Sequence, residues 1–359
     1  MLNFTVGPVQ MREEVRMMAA DQIPYFRTPE FSQTMVENEA LFLKFAFAPA
    51  DSRAVFLTGS GTAGMEASVI NTLTSEDKVL VVNGGSFGQR FVRLCEIHKI
   101  PCSVIELGFG TPLVESDLSA YEGQGYTAFL VNLDETSTGV LYDLALIHDF
   151  CRRNALFLIV DAISAFLADP IDMAAYEIDV MIAGSQKALA VAPGVSVLAL
   201  SPVAQQRIAA IDSGCLYLDL ESALHDGERG QTPFTPAVGI LQQINRRLQQ
   251  IDRLGVAAEI ERVALQARDF RDRIAVLPFE LFSKAPTNAV TALYSKDRLA
   301  KTIFSVLKDE YGMWVCPNGG ALAETVFRVG HIGDLTSADN ETLVAALLDM
   351  QDRGFLEGR

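Results

Sequence analysis

Residues 179–194 read DVMIAGSQKALAVAPG. An apolar run, Ile178 with Val180, Met181 and Ile182, has the length of a buried strand, and polarity then changes abruptly at Gly184-Ser185-Gln186-Lys187. Small residues let the backbone bend there and leave room beside a side chain. A lysine at the end of a buried strand is poorly solvated, which lowers its amine pKa and makes it a nucleophile toward a carbonyl. The same residues also suit an ordinary surface loop, so the surrounding sequence has to decide between the two.

Six further apolar runs surround this one: Ala54–Thr58, Lys78–Val82, Cys102–Leu107, Ala128–Leu133, Leu156–Val160 and Val195–Leu200. Most are rich in Val, Ile, Leu and Phe without strict alternation, the pattern of strands buried on both faces of a largely parallel sheet. Amphipathic helical spacing separates several of them, as at Gln89–His98 and Asp143–Asn154. The last two runs are joined by too short a link for a comfortable crossover helix, which is the expectation for an antiparallel final strand. Before the first run, residues 1–15 form an N-terminal arm with a Gly7-Pro8 turn, and helices are predicted at Glu13–Ala20 and Phe31–Ala46.

A long helix is predicted over Val238–Leu254, and the texture changes after Gly255. Helical segments at Ala257–Val276 and Lys296–Tyr311 accompany short apolar runs at Phe279–Phe282, Val290–Tyr294, Trp314–Cys316 and Thr325–Val329, with a last helix near Asn340–Arg353. The expectation is an α/β protein: an arm (1–15), a large domain (16–254) with a mostly parallel seven-stranded sheet, and a smaller C-terminal α+β domain (255–359).

Of 359 residues, 49% are hydrophobic and 21% charged, an ordinary globular balance. The net charge of −16 argues against a nucleic-acid partner or an anionic membrane surface. No apolar run approaches the roughly 20 residues of a membrane span, and MLNFTVGPVQ lacks the basic and apolar regions of a signal peptide. Five scattered cysteines show no metal-ligand spacing, so no metal is expected and the thiols are read as reduced, in the cytoplasm.

In open α/β sheets ligands bind beyond the carboxyl ends of the strands, and several predicted strands end in polar residues. Ala54–Thr58 runs into GSGTAGME (59–66), where a helix N-terminus would hold a phosphate or simply begin after a turn. Lys78–Val82 runs into NGGSFGQR (83–90); Phe87, between glycines, stands over a flat ligand or packs on the core. Ala128–Leu133 leads into DETSTG (134–139). Leu156–Val160 ends at Asp161, and a carboxylate closing so apolar a run needs a partner, either a protonated ring nitrogen or a buried helix N-terminus. QTPFTP (231–236) is a rigid polar turn, and Arg328 sits within an apolar strand, where a small carboxylate is a natural counter-ion.

In their order along the chain, GSGTAGME, GGSFGQR, DETSTG, VDAISA, GSQKAL, TPFTPAV and FRVGHIG resemble the class V pyridoxal-phosphate aminotransferases of fold type I, above all the alanine–glyoxylate, serine–pyruvate and 2-aminoethylphosphonate–pyruvate transaminases. The resemblance spans nearly the whole chain, and GSQKAL preceded by VDAISA is its most specific part. It implies that Lys187 forms a Schiff base with pyridoxal 5'-phosphate and that Asp161 keeps the pyridine nitrogen protonated. Phe87 would stack on the ring, with Thr136 and Ile163 also at the cofactor. Ser60, Gly61, Thr62 and Gln186 would bind the phosphate, joined by Thr235 of a partner subunit in a homodimer with shared sites, and Arg328 would clamp a substrate carboxylate or phosphonate. The implied reaction moves an amino group from alanine, serine or 2-aminoethylphosphonate to a small 2-oxo acid such as pyruvate or glyoxylate. Relatives often have His-Arg where this chain has Phe26-Arg27, which puts the pocket entrance in question. The alternative on the same fold is a lyase or cysteine desulfurase. That enzyme needs a mobile cysteine near the cofactor, whereas Cys316, in WVCP, reads as core or turn. His98, His148, His225 and His331 fall in no matching motif.

Overall fold

A computed structural model describes residues 1–356 of the chain. Seven strands form the central sheet: β1 (Arg53–Thr58), β2 (Val79–Asn83), β3 (Cys102–Glu106), β4 (Ala128–Asn132), β5 (Phe157–Asp161), β6 (Val180–Gly184) and β7 (Val195–Leu200). Their spatial order is β1-β7-β6-β5-β4-β2-β3. β7 pairs antiparallel with both β1 and β6, and every other pairing is parallel. The antiparallel final strand expected from the short link is therefore present.

Alternate residues of each strand feed different cores, which explains the unbroken apolar runs. Phe129, Val131, Leu158 and Val160 point into one, with Phe42 of helix α1 (Pro29–Phe45). Leu130, Ile159, Val180 and Ile182 point into the other, with Met65 of α2 (Gly61–Thr72) and Phe91 of α3 (Gly88–Ile97). On the first face lie also Phe150 of α4 (Leu144–Asn154) and Ile244 of α5 (Val238–Leu254). Parallel pairing from β2 to β6 brings the ends of β4, β5 and β6 to one edge of the sheet.

After Gly255 come α6 (Val256–Ile274), α7 (Ala300–Tyr311) and α8 (Ser337–Asp352), packed on an antiparallel four-stranded sheet. Its strands are β8 (Glu280–Leu281), β9 (Val290–Tyr294), β10 (Cys316–Pro317) and β11 (Val326–Gly330), in the order β8-β9-β11-β10. The third core, with Phe270, Leu293, Phe327 and Leu347, also takes in Phe4 of the arm. Leu2–Asn3 pairs in parallel with Met313–Trp314, and Gly330 N–H donates to the Phe4 carbonyl at 2.7 Å. The arm is thus an integral strand of the second layer, which its composition did not reveal.

Three local expectations shift. The helix expected from Lys296 begins at Ala300, because Ser295 Oγ accepts the Leu299 N–H and Arg298 takes a left-handed conformation (φ 61°). The run Trp314–Cys316 divides between two partners, Trp314 pairing with the arm and Cys316 with β11. The stretch before QTPFTP, for which the sequence reading names no helix, contains helices Pro202–Ala210 and Leu220–Gly227, started by the side-chain caps Ser201 and Asp219.

Candidate active site

One cavity at the carboxyl edge of the large sheet is lined by Ser60, Gly61, Thr62, Phe87, Thr136, Asp161, Ile163, Gln186 and Lys187. Nine of the residues singled out in the sequence therefore meet in one place. The strand ends bring them there: β5 ends on Asp161, β6 turns at Gly184 into Lys187, and α2 starts at the cavity. Gly61 admits no side chain, since a Cβ there would collide with Ile163 Cδ1. Ser60, the N-cap of α2, makes no side-chain cap bond, so the first N–H groups of the helix and the Ser60 hydroxyl are available to an anion.

Lys187 is 8% exposed, and Nζ donates to the Val6 carbonyl at 2.6 Å. Burial lowers its amine pKa; Asp134, Cys316 and Asp161 act against that shift, while Arg328 adds to it. Burial likewise pushes Asp161 up to about 6, opposed by the Ile163 N–H that donates to Oδ1 at 2.9 Å and by the charges of Lys187 and Arg90. The two groups pull each other toward the charged pair while desolvation pulls both toward neutrality. This balance yields an amine that loses its proton more readily than an exposed lysine, beside an acid whose ionised form a nearby cation favours.

Phe87 and Ile163 flank the cavity, and the loop carrying Phe87 is fixed by a buried anion. Glu135 accepts the N–H groups of Phe87 (3.2 Å) and Gly88 (3.0 Å), and it holds the Ser137 hydroxyl and N–H. Thr136 Oγ1 lies 2.8 Å from Ser164 Oγ. Gln186 Oε1 is buried without a partner. Arg90, for which the sequence offered no role, donates to Thr62 Oγ1 at 2.9 Å and stacks its guanidinium 4.9 Å from the Phe87 ring centroid. Gly7, Asn132 and Ser164 also line the cavity without having been singled out. The signal for Arg90 was its place on the α3 face that follows Phe87 by one turn.

Arg328 lines an adjoining cleft between the two sheets, together with Phe87, Ser137 and Asn318. It donates to the carbonyls of Thr136 (3.1 Å) and Pro317 (2.8 Å), while its Nε is buried without a partner. Cys316 lies in register with Arg328 on edge strand β10, neither in a core nor in a turn, and Sγ accepts the Val6 N–H at 3.3 Å. Thr235 is not brought to the cavity of its own chain. It is exposed and lines a groove beside β1 with Thr58, Tyr217 and Phe234. Phe26 packs against the large core, and Arg27 stacks on its ring at 4.6 Å while donating to Gln231 Oε1 at 3.1 Å.

These residues fit pyridoxal phosphate. A helix N-terminus with an uncommitted hydroxyl suits the phosphate, the partly satisfied Asp161 carboxyl suits a protonated ring nitrogen, and Phe87 and Ile163 flank space for a flat ring. The fold and the cavity define a fold-type-I pyridoxal-phosphate enzyme. The aminotransferase class-V family model matches residues 24–310, and the chain belongs to that family. It is a pyridoxal-phosphate-dependent transaminase. Among its relatives is the small subunit of a soluble hydrogenase from Synechococcus sp., 28% identical over 348 residues, covering 95% of this chain and 90% of the relative. L-aspartate–glyoxylate aminotransferase of Paracoccus denitrificans is 28% identical over 350 residues, covering 93% and 87%. The solved structure of alanine–glyoxylate aminotransferase from Nostoc sp. matches with a TM-score of 0.92 at 24% identity, covering 98% of this chain and 95% of that one.

Proposed function

We propose that the chain transfers the amino group of a small donor (alanine, serine or 2-aminoethylphosphonate) to a small 2-oxo acid such as pyruvate or glyoxylate. The observation that carries this reading is the junction of two sites: Lys187 and Asp161 share one cavity, and Arg328 opens onto the adjoining cleft with its Nε unpaired. A guanidinium so placed suits a carboxylate or a phosphonate. The glyoxylate-utilising relative from Paracoccus supports the acceptor class.

When bound, the cofactor supplies an aldehyde that links to an amine and a cationic ring that withdraws electrons. Lys187 would hold the aldehyde end of the cofactor in the absence of a donor amine. Lys187 Nζ would take the proton from the amine-bearing carbon of the donor and return it, acting as base and then acid. Asp161 holds the proton on the ring nitrogen. Phe87 and Ile163 hold the ring plane, and Thr136 holds a ring substituent. Ser60, Gly61, Thr62 and Gln186 hold the phosphate, with Thr235 reaching in from a second copy in a homodimer.

The chain divides into an arm (1–15), a large domain (16–254) and a small domain (255–359), and the cleft beside Arg328 lies between the latter two. Among the described residues no helix is long and apolar enough to cross a membrane. Five free cysteines suit a reducing cytoplasm. The desulfurase alternative needs a thiol that can travel, whereas Cys316 is tied to the Val6 N–H on an edge strand. Turnover of the three donors against pyruvate and glyoxylate tests the proposal. Formation of alanine or glycine is the expected result, and sulfide release from cysteine in its place would overturn it.

A further inference from the structure

The reaction uses Asp161 and leaves a second buried carboxyl, Asp134, without a role. Asp134 opens a short hairpin, Asp134–Glu135 paired with Val140–Leu141, and is 1% exposed. Its Oδ1 has no partner at all, and its Oδ2 has one, the Thr287 hydroxyl at 3.2 Å. That hydroxyl is also 2.7 Å from Asp169 Oδ2 and accepts the Ala289 N–H at 3.0 Å. Threonine has a single hydroxyl proton to give. Asp169 has the stronger claim on it: the contact is shorter, the Asn288 N–H donates to the same carboxylate at 3.2 Å, and the Arg271 cation acts on it.

With its proton given to Asp169, the Thr287 oxygen faces Asp134 with a lone pair. Two bare oxygens meeting in a dry site repel, and an ionised Asp134 would be a buried anion with no donor of its own. A proton on Asp134 resolves the whole cluster. Asp134 then donates to Thr287, Thr287 donates to Asp169, and both Thr287 lone pairs are used. Glu135, next in sequence, shows the opposite arrangement, because every contact made by its oxygens is with a donor.

The charged and titratable groups around Asp134 agree with this assignment. Burial, Asp169 and Glu135 push its pKa up; Lys187 and the Thr287 bond oppose them. Arg271 from α6 and Arg328 from β11 also feel it, as does Tyr142. An ionised Asp134 would act on Lys187 more strongly than Asp161 does, so its protonation state matters to the amine.

We propose that Asp134 is a positioning residue that keeps its proton across the neutral pH range, so that Lys187 faces a neutral acid there and not a second anion. Its consequence for catalysis rests on the reading of Lys187 as the cofactor lysine, whereas the protonation itself does not.

The test is infrared spectroscopy of the unloaded full chain at about pH 8, where ordinary carboxyls are ionised. The expected result is a carbonyl band of a protonated buried carboxyl in the wild type that is lost in Asp134→Asn. A carboxamide donates to Thr287 as the acid does, so the Asn chain should fold. Absence of the band, or its survival in Asp134→Asn, overturns the proposal. Should the Asn chain not fold, Thr287→Val serves: it removes the acceptor of the Asp134 proton, so the band shifts in frequency if Asp134 is the acid and stays unchanged if the proton sits outside this cluster. The cofactor-loaded enzyme gives a second readout, the pH midpoint of its visible absorption. Asp134→Asn leaves that midpoint in place if the acid is neutral, and lowers it by about 1–3 pH units if an anion has been removed. Failure of amino transfer would sink the functional reading without touching the infrared result.

Discussion

Lys187 Nζ donates to the carbonyl of Val6, a residue 181 positions earlier in the chain. The N–H of the same residue donates to Cys316 Sγ, on the edge strand beside Arg328. One residue of the arm thus links the buried amine of the large sheet to the small sheet that carries Arg328. The arm pairs with Met313–Trp314 and fills the third core with Phe4, so the Val6 carbonyl is held by contacts to the small layer.

Gly7 makes this contact possible. Its φ is 140°, and a Cβ there would lie 2.9 Å from Lys187 Cδ and 3.0 Å from Nζ. Gly7→Ala is expected to displace the lysine and to slow turnover at least about tenfold, a barrier increase of roughly 1.4 kcal/mol, with far-ultraviolet circular dichroism unchanged. Wild-type turnover in the alanine chain would show that the arm does not constrain the amine.

The sheet and most of the cavity were legible in the sequence for one physical reason. Strands buried on both faces must be apolar throughout, so a polar residue closing such a run, as Asp161 and Lys187 do, stands out. Arg90 and Asp134 did not stand out. Arg90 lies on a helix where an arginine is ordinary, and its value comes from Thr62 and Phe87 being beside it in space. The meaning of Asp134 depends on Thr287, 153 residues away, and on how one hydroxyl proton is shared. Nor does composition distinguish an arm that pairs with Met313–Trp314 from a loose one.

Asp161 gives a pH signature. Its folded pKa of about 6 lies above the ordinary 3.8. The folded, unloaded chain therefore binds this proton more tightly than the unfolded chain, and stability falls as pH rises between those values, by about 3 kcal/mol in all. Melting temperature against pH should show this slope in the wild type and lack it in Asp161→Asn. The loaded enzyme should show a weaker slope, because a protonated ring nitrogen favours the ionised carboxylate. Breaking such a buried pair costs about 3–5 kcal/mol, so Asp161→Asn should lose most of its turnover while keeping the fold. Near wild-type activity would refute the role.

Replacing Arg328 tests whether it binds the substrate anion. Two of its nitrogens are engaged by the Thr136 and Pro317 carbonyls, which fix the plane of the guanidinium and direct the rest at the cleft. A lysine cannot reproduce that fork. Loss of a charged hydrogen bond is worth about 1.5–3 kcal/mol, so Arg328→Lys should raise KM for the oxo acid about 10- to 100-fold with a smaller change in kcat. Equal KM values for the two chains would mean that the substrate anion binds elsewhere.

Lys187 and Thr235 make the last prediction, because they do not meet within one chain. Thr235 is exposed in a groove beside β1, and the helix N-terminus at Ser60–Thr62 belongs to the separate cavity that Lys187 lines. A doubly charged phosphate needs more donors than one glycine turn provides, and the prolines at 233 and 236 hold Thr235 in place at low entropic cost. If a second copy delivers Thr235 to the phosphate, Lys187→Ala and Thr235→Ala chains are each defective alone. Mixed under full subunit exchange, they form dimers in which one of the two sites has both residues intact, so activity returns to about a quarter of wild type, half the chains being in mixed dimers and half their sites restored. The expected results are a raised dissociation constant for pyridoxal phosphate in Thr235→Ala and this recovery on mixing. A Thr235→Ala chain that binds the cofactor normally would show that the threonine serves only its own turn, and a clear defect with no recovery on mixing would place it in the site of its own chain.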